Sequence, residues 1–241
     1  GLTELVIPNT VNWVQENFVL GCNNLTTIIC EAITPPSTSK YVSLVDYSEA
    51  RITLYVPKGS KKQYMEANGW KRFQNIKEIG VEEVEIQIDA TNFPDDKFRN
   101  YLLRQDYGKD GKLSDWEISN ITYLSFVEEG IKSLKGIEFL TSLKELYWSW
   151  NSVKSLDLSK NTKLRKLQCA HCSLTTLDLS QNTALEFLDC TLNRIEGLGM
   201  DNLVNSLPIT VNGVFRVIRG NDNTCTKTQV AIAKARGWTP I

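Results

Sequence analysis

Between Leu140 and Met200 the apolar residues return at a fixed interval. Leu143, Leu164 and Leu185 stand 21 residues apart, and each opens one frame. Leu146, Trp148 and Asn151 follow the first, Leu167, Cys169 and Cys172 the second, and Leu188, Cys190 and Asn193 the third. Val153, Leu174 and Ile195 close the three copies. The polar half recurs as well, in Leu156 to Thr162 and Leu177 to Thr183. A weaker copy, Ile121, Leu124, Phe126, Glu129, Ile131, Leu134 and Ile137, begins 22 residues before Leu143. Alternation inside each frame predicts a short strand that sends Leu146 and Trp148 inward and Tyr147 and Ser149 outward.

This frame resembles the leucine-rich repeat, L-x-x-L-x-L-x-x-[N/C]-x-L. One such repeat cannot bury its own apolar edge, so repeats stack and share a continuous core. The fold class implied is α/β: a solenoid with one parallel sheet over residues 121–200 and an irregular or helical convex side. Cys169 and Cys190 should then be neighbours on adjacent strands. The inward Asn at the turn should bond backbone groups that the bend leaves unpaired. Cys172 replaces it by a thiol, so that rung should be less well satisfied. Trp148 is large for its place and Cys169 and Cys190 are small, which reads as complementary packing.

A different repeat occupies residues 1–83. Leu2, Leu5, Ile7, Val11, Phe18 and Cys22 recur 23 residues later as Leu25, Ile28 and Cys30, and the copy breaks off at Pro35-Pro36. Its order resembles the BspA-like leucine-rich repeat of bacterial surface proteins. That likeness implies a last strand at Ile52 to Pro57, a turn at Lys58 to Ser60 and a capping helix from Ser60 to Asn68 before Gly69-Trp70. The sheet of this piece should therefore end before residue 60. Residues 201–241 repeat the logic, with helix Gly199 to Leu207, strand Val214 to Ile218, helix Thr226 to Arg236 and Gly237-Trp238. Two capped solenoid pieces in series is the architecture expected, with 84–120 as a helix and loop capping the second.

In that intervening stretch Pro94, Asp95 and Asp96 read as the first turn of a helix. Phe98, Tyr101, Leu102 and Gln105 continue it, and Asp106 to Glu117 then resembles an EF-hand calcium loop. Asp106, Asp110 and Glu117 would supply carboxylates, Lys112 a backbone carbonyl and Ser114 a direct or water-borne ligand, with Gly111 at the sharp turn. Gly108 stands where an Asp or Asn is expected. The alternative is a helix-loop-helix cap with solvated acids. Calcium, if held, should bind weakly, with a dissociation constant of about 10⁻⁴ to 10⁻³ M.

Composition narrows the function. A formal net charge of -1 over 241 residues argues against nucleic acid or an anionic membrane as partner. No apolar run reaches the length of a membrane span. The chain opens inside a repeat at Leu2 without a signal peptide, so a trimmed or mature product is expected. The six cysteines read as packed thiols, since disulfide frameworks belong to smaller, cysteine-denser chains. Cys169-Ala170-His171-Cys172 has zinc-like residue types, but the register turns the cysteines inward and sets His171 at the turn. No phosphate loop, nucleophile elbow or metalloprotease motif occurs, and the sequence points away from an enzyme.

What remains is the outward face of the strands. Tyr123, Glu145, Tyr147, Trp150, Lys166, Gln168, His171, Phe187 and Asp189 are the candidate ligand-binding residues, aromatic anchors among polar groups. Such a face suits a protein or peptide, and the bacterial surface-protein resemblance implies a host-derived partner and an extracellular or cell-surface location. A glycan stacked on Trp150 or Tyr147, in an accessory role for polysaccharide processing, is the rival. Packing of these aromatics on one another is a third reading.

Overall fold

The computed structural model describes residues 1–15, 17–19, 21–38, 52–73, 75–81, 85–153, 156–218 and 222–241. They form two compact units, residues 1–83 and 84–241. In the first, β1 (Glu4–Ile7), β2 (Thr27–Cys30), β3 (Thr53–Val56) and β4 (Asn75–Glu78) pair in that order, all parallel. Leu25, Ile28, Cys30, Leu54 and Val56 are buried between rungs. After β3 comes α1 (Lys61–Glu66), then Gly69 with φ 80° and a short 3-10 turn at Trp70–Arg72. The expectation that the sheet ends before residue 60 is corrected here. The chain passes under the cap and returns as β4, because buried Trp70 and Phe73 carry it back beneath the last rung. Tyr64 and Trp70 meet edge to face at 5.3 Å, and the indole N–H donates to the Pro36 carbonyl at 2.8 Å.

The second unit opens with β5 (Ile86–Gln87), α2 (Asp96–Arg104), β6 (Lys112–Leu113) and α3 (Asp115–Asn120). Asp95 caps α2 by accepting from the backbone N–H groups of Lys97 and Phe98. Pro94 therefore lies just outside the helix that it was expected to open. A six-stranded parallel sheet follows: β7 (Tyr123–Ser125), β8 (Glu145–Tyr147), β9 (Lys166–Gln168), β10 (Phe187–Asp189), β11 (Gly213–Arg216) and β12 (Trp238–Pro240). Gln168 pairs with Asp189, which puts Cys169 and Cys190 on neighbouring rungs as their spacing requires. Phe93, Phe98, Leu102 and Leu113 share one core with the repeats, so the helix and loop are built into the end of the stack. Helices α4 (Gly197–Ser206) and α5 (Lys227–Ala235) close the other end.

Here too the chain returns as a strand after the cap. Gly237, at φ +84°, could carry no side chain, since a Cβ would sit 1.8 Å from the Thr210 carbonyl oxygen. Trp238 behind it donates its indole N–H to Pro208 at 2.7 Å and meets Phe215 edge to face. Both units thus end in one device: helix, left-handed glycine, tryptophan bonded to a proline carbonyl, and a final parallel strand.

Asparagines fasten the turns that leave the strands. Asn193, 1% exposed, donates to the carbonyls of Cys169, Cys190 and Thr191 and accepts from the N–H groups of Cys172 and Leu174. Asn151 donates to Phe126, Trp148 and Ser149 and accepts from Ile131. Asn223 continues the ladder, accepting from Ile195 and donating to Cys190 and Val217. Sequence spacing hid it, since the added strand and its turn lengthen that repeat. On the far side of the stack Asn161 and Asn182 form a second ladder, each donating to two backbone carbonyls.

Cys172 is the weak rung: its single S–H is shared between the Trp148 and Ala170 carbonyls at 3.4 Å each. Cys172→Asn should therefore raise stability by about 1 kcal/mol. Asn193→Ala should lower it by about 3 kcal/mol or more, because several buried backbone groups lose their partner together. Urea unfolding of the two variants beside the parent checks both signs.

Candidate functional site

The outward residues of β7 to β11 form rows across the strands. Strand pairing sets Tyr123 beside Glu145, Lys166, Phe187 and Val214 in one row, and Ser125 beside Tyr147, Gln168, Asp189 and Arg216 in the next. The Tyr123 and Tyr147 rings lie 5.5 Å apart at 43°. Glu145 holds Lys166 at 3.0 Å and accepts from the Tyr147 hydroxyl at 2.9 Å. Those two bonds, Lys166 first, hold the Glu145 carboxyl below its ordinary range. Tyr147 moves the other way, its pKa pushed up to about 12, by partial desolvation first and then by donation to Glu145.

Not every outward position reaches solvent. Ser149, Asp189 and Thr191 are buried, at 4%, 7% and 7% exposure. Small side chains there turn down onto the strands: Ser149 Oγ accepts from the Ala170 N–H, and Asp189 accepts from the N–H and hydroxyl of Thr191. Asp189 therefore meets the surface through Arg216, 3.8 Å away, whose guanidinium also lies over the Phe187 ring at 5.3 Å. Arg216 was missing from the sequence-based patch. Its signal was there, since it follows the core residue Phe215 as Asp189 follows Leu188.

Beyond the strands the hydrogen-bond ladder runs on for one more residue. Glu128, Trp150 and His171 donate their backbone N–H to Ser149, Ala170 and Thr191, and all three adopt left-handed conformations with φ between 58° and 63°. Leu192 does the same at 55°. Each costs roughly 1–2 kcal/mol in a residue with a Cβ; Trp150 and Leu192 are held by the inward Asn151 and Asn193 that follow them, and His171 by Asn193 accepting from the N–H of the next residue, Cys172. The result is a column of side chains projected from one bend. Trp150 stays 53% exposed, and its ring stacks on His171 with centroids 4.0 Å apart and planes at 13°.

Cys169, Cys172 and Cys190 are buried on the opposite side of the same strands, and burial pushes all three thiols up. His171 points away from them onto Trp150, so the zinc-like residue types do not converge.

The fold is a leucine-rich-repeat solenoid. No protein-family model matches the chain, and no curated protein does. Among solved structures it is similar to the functional domain of InlJ from Listeria monocytogenes, which includes a cysteine ladder, with 26% identity and a TM-score of 0.47 over 59% of this chain and 30% of that one. It is also similar to the internalin InlF of Listeria monocytogenes strain 4b F2365, with 22% identity and a TM-score of 0.49 over 65% of this chain and 45% of that one. The chain thus spans less than half the length of either.

The loop from Asp106 to Glu117 does not gather its five expected calcium ligands in this arrangement. Asp106 is paired with Lys109, and its side chain is 94% exposed. Asp110 accepts from the backbone N–H of Lys112, whose ammonium pairs with Glu85. Ser114 and Glu117 bond each other in a capping box that starts α3, with Glu117 Oε2 accepting from the Ser114 N–H at 2.8 Å. Gly108 explains the missing third ligand: a Cβ there would lie 2.2 Å from the Leu102 carbonyl oxygen. Among the described residues no group of three or more His, Cys, Asp or Glu side chains could hold a metal. As they stand the residues do not fit the ion, and its binding would require Glu117 to leave the cap and Asp106 to leave Lys109.

Glutamine serves a capping box as well as glutamate but cannot replace a bidentate carboxylate. Glu117→Gln should then melt close to the parent, and Glu117→Ala should lose about 1 kcal/mol. A melting temperature that rises with calcium, and ceases to rise in Glu117→Gln, would be the mark of an occupied loop. For Tyr147 the neutral phenol is the favoured form, so its contribution is complete below pH 10 and lost as pH rises through about 12. Phenolate absorbance of the parent minus Tyr147→Phe should show that late step.

Proposed function

We propose that the outward face of β7 to β10 binds a protein or peptide, and that the chain is a non-catalytic protein of the cell surface or the space outside it. The observation carrying the reading is the exposure of Tyr123 and Trp150, at 56% and 53%, on a face where the acids and bases are already paired. Neither ring is needed for the core, whose aromatic members Trp148, Phe126 and Phe215 are buried elsewhere. Trp150 is moreover held in a costly backbone conformation that would suit glycine better. Large amphipathic rings on a rigid sheet are the usual anchors of an interface.

The BspA-like resemblance supports the surface location and a host-derived partner. No helix among the described residues is long and apolar enough to cross a membrane. A glycan is the rival occupant: His171 covers one face of Trp150, which leaves a sugar the other. Weak calcium binding in the loop before α3 would be a separate structural contribution away from this face, and it requires Glu117 to leave its capping box and Asp106 to leave Lys109.

Changing Tyr123, Tyr147 and Trp150 together to Ala should leave stability within about 1 kcal/mol, since these are surface positions. It should also abolish capture of the partner in a host-protein pull-down run beside a glycan array. Retention of the partner by the triple variant would remove this face from consideration.

A further inference from the structure

We infer that the cap of the first unit docks an anionic polysaccharide, at a second site that is independent of the aromatic face of the second unit. The capping segment, residues 58–72, carries Lys58, Lys61, Lys62, Lys71 and Arg72 against the single acid Glu66. Residues 1–83 as a whole hold eight Lys and Arg against nine Asp and Glu, so positive charge is gathered on the cap. Lys58, Lys62, Lys71 and Arg72 are exposed, and none of these four stands in an ion pair among the described residues. Glu78, which the fold brings beside the turn, is already engaged. Its Oε1 accepts from the backbone N–H groups of Gly59 at 2.8 Å and Lys61 at 3.3 Å.

The path of the chain sets the length of the ligand. β3 ends at Val56 and β4 begins at Asn75, which pairs with Thr53, so α1 and the turn after it carry the chain back over a full strand. Lys58 therefore stands off one end of the rung and Arg72 off the other, separated by roughly 13 Å or more, four residues at about 3.3 Å each. Lys62 lies between them, at the start of α1. Tyr64, Trp70 and Phe73 turn into the core, which leaves the cations on the outer side. A single phosphate or sulfate cannot reach both ends. A chain with repeated negative charges can.

The surroundings decide the class of that chain. Between residues 58 and 72 no large apolar side chain is exposed, so the patch offers neither the anchors of a protein interface nor apolar groups to enter a lipid surface. Its aromatic rings are buried and give unstacked bases no platform. A nucleic-acid duplex calls for a basic domain, and residues 1–83 are close to neutral. A polysaccharide bearing sulfates or carboxylates along its length is held by charge without such anchors, and exposed Lys and Arg supply that charge.

The test uses the whole chain and four probes: a sulfated oligosaccharide of the heparin type, an uncharged dextran of equal length, a poly-Glu peptide and vesicles of anionic phospholipid. The cap variant combines Lys58→Gln, Lys62→Gln, Lys71→Gln and Arg72→Gln. Its control combines Lys132→Gln, Lys135→Gln, Lys160→Gln and Lys163→Gln, which removes four exposed lysines from the second unit. The expected result is saturable binding of the sulfated oligosaccharide, with NMR shifts at Lys62, Lys71 and Arg72. That binding should weaken about tenfold or more in the cap variant and on raising salt from about 50 to about 200 mM, and hold in the control. The Tyr123, Tyr147 and Trp150 triple Ala variant should bind the oligosaccharide as the parent does; a loss there, or equal loss in the two lysine variants, overturns the site. Poly-Glu or vesicles binding as tightly as the oligosaccharide overturns the polysaccharide class, as does dextran, and no binding of any probe overturns the inference outright. Melting curves check each fold, and Arg in place of the three cap lysines should retain binding, which separates lost charge from lost structure.

Discussion

The buried asparagines at the exits of β8 and β10, with Asn223 after β11, are the constraint on which the second unit depends. A strand must turn sharply there to begin the convex side, and the turn strips several backbone groups of ladder partners in a place water cannot reach. Asn193 alone satisfies five of them. Such bond sets hold the left-handed residues beside them: Asn151 follows Trp150, and Asn193 follows Leu192 and accepts from the N–H just after His171. Core satisfaction and surface display are consequently one arrangement: the amide inside pins the backbone, and the pinned backbone aims the ring outside.

A stack of rungs also needs ends, and both units solve that problem alike. A helix crosses the last rung, a glycine with positive φ reverses the chain, and a buried tryptophan anchors the return by bonding a proline carbonyl 34 or 30 residues earlier. The final strands β4 and β12 then take the edge position. Edges are where sheets invite foreign strands, and β12 is blunted by its shortness and by Pro240, which has no N–H to offer. At the opposite end of the second sheet α2 covers β7, with Phe98 and Tyr101 against Phe126 at 5.6 and 5.2 Å.

The loop between α2 and α3 shows how a motif can match in sequence while its residues serve a neighbouring need. Ser114 and Glu117 stand three apart both in a calcium loop and in a capping box, and here they form the box. Gly108 departs from the calcium pattern because the helix behind it leaves no room for a Cβ. Burial raises the Glu117 pKa against its two bonds from Ser114, so the carboxyl is partly enclosed by the cap it makes.

Periodicity by itself determined the solenoid, the inward leucines, the rung neighbours Cys169 and Cys190 and the weak rung at Cys172. These follow from local rules: a 21-residue recurrence fixes which residues share a row, and alternation fixes which side they face. Only the tertiary structure decided the rest. The returning strands β4 and β12 carry no repeat signal, since their place comes from the tryptophan beneath them. Asn223 joins the ladder across a repeat of altered length, and Arg216 reaches Asp189 because β11 pairs with β10. Burial of Ser149 and Asp189 on the outward face depends on neighbouring rows, as does the stacking of His171 on Trp150. Residues far apart in sequence set these features by contact, and no pattern along a single repeat contains them.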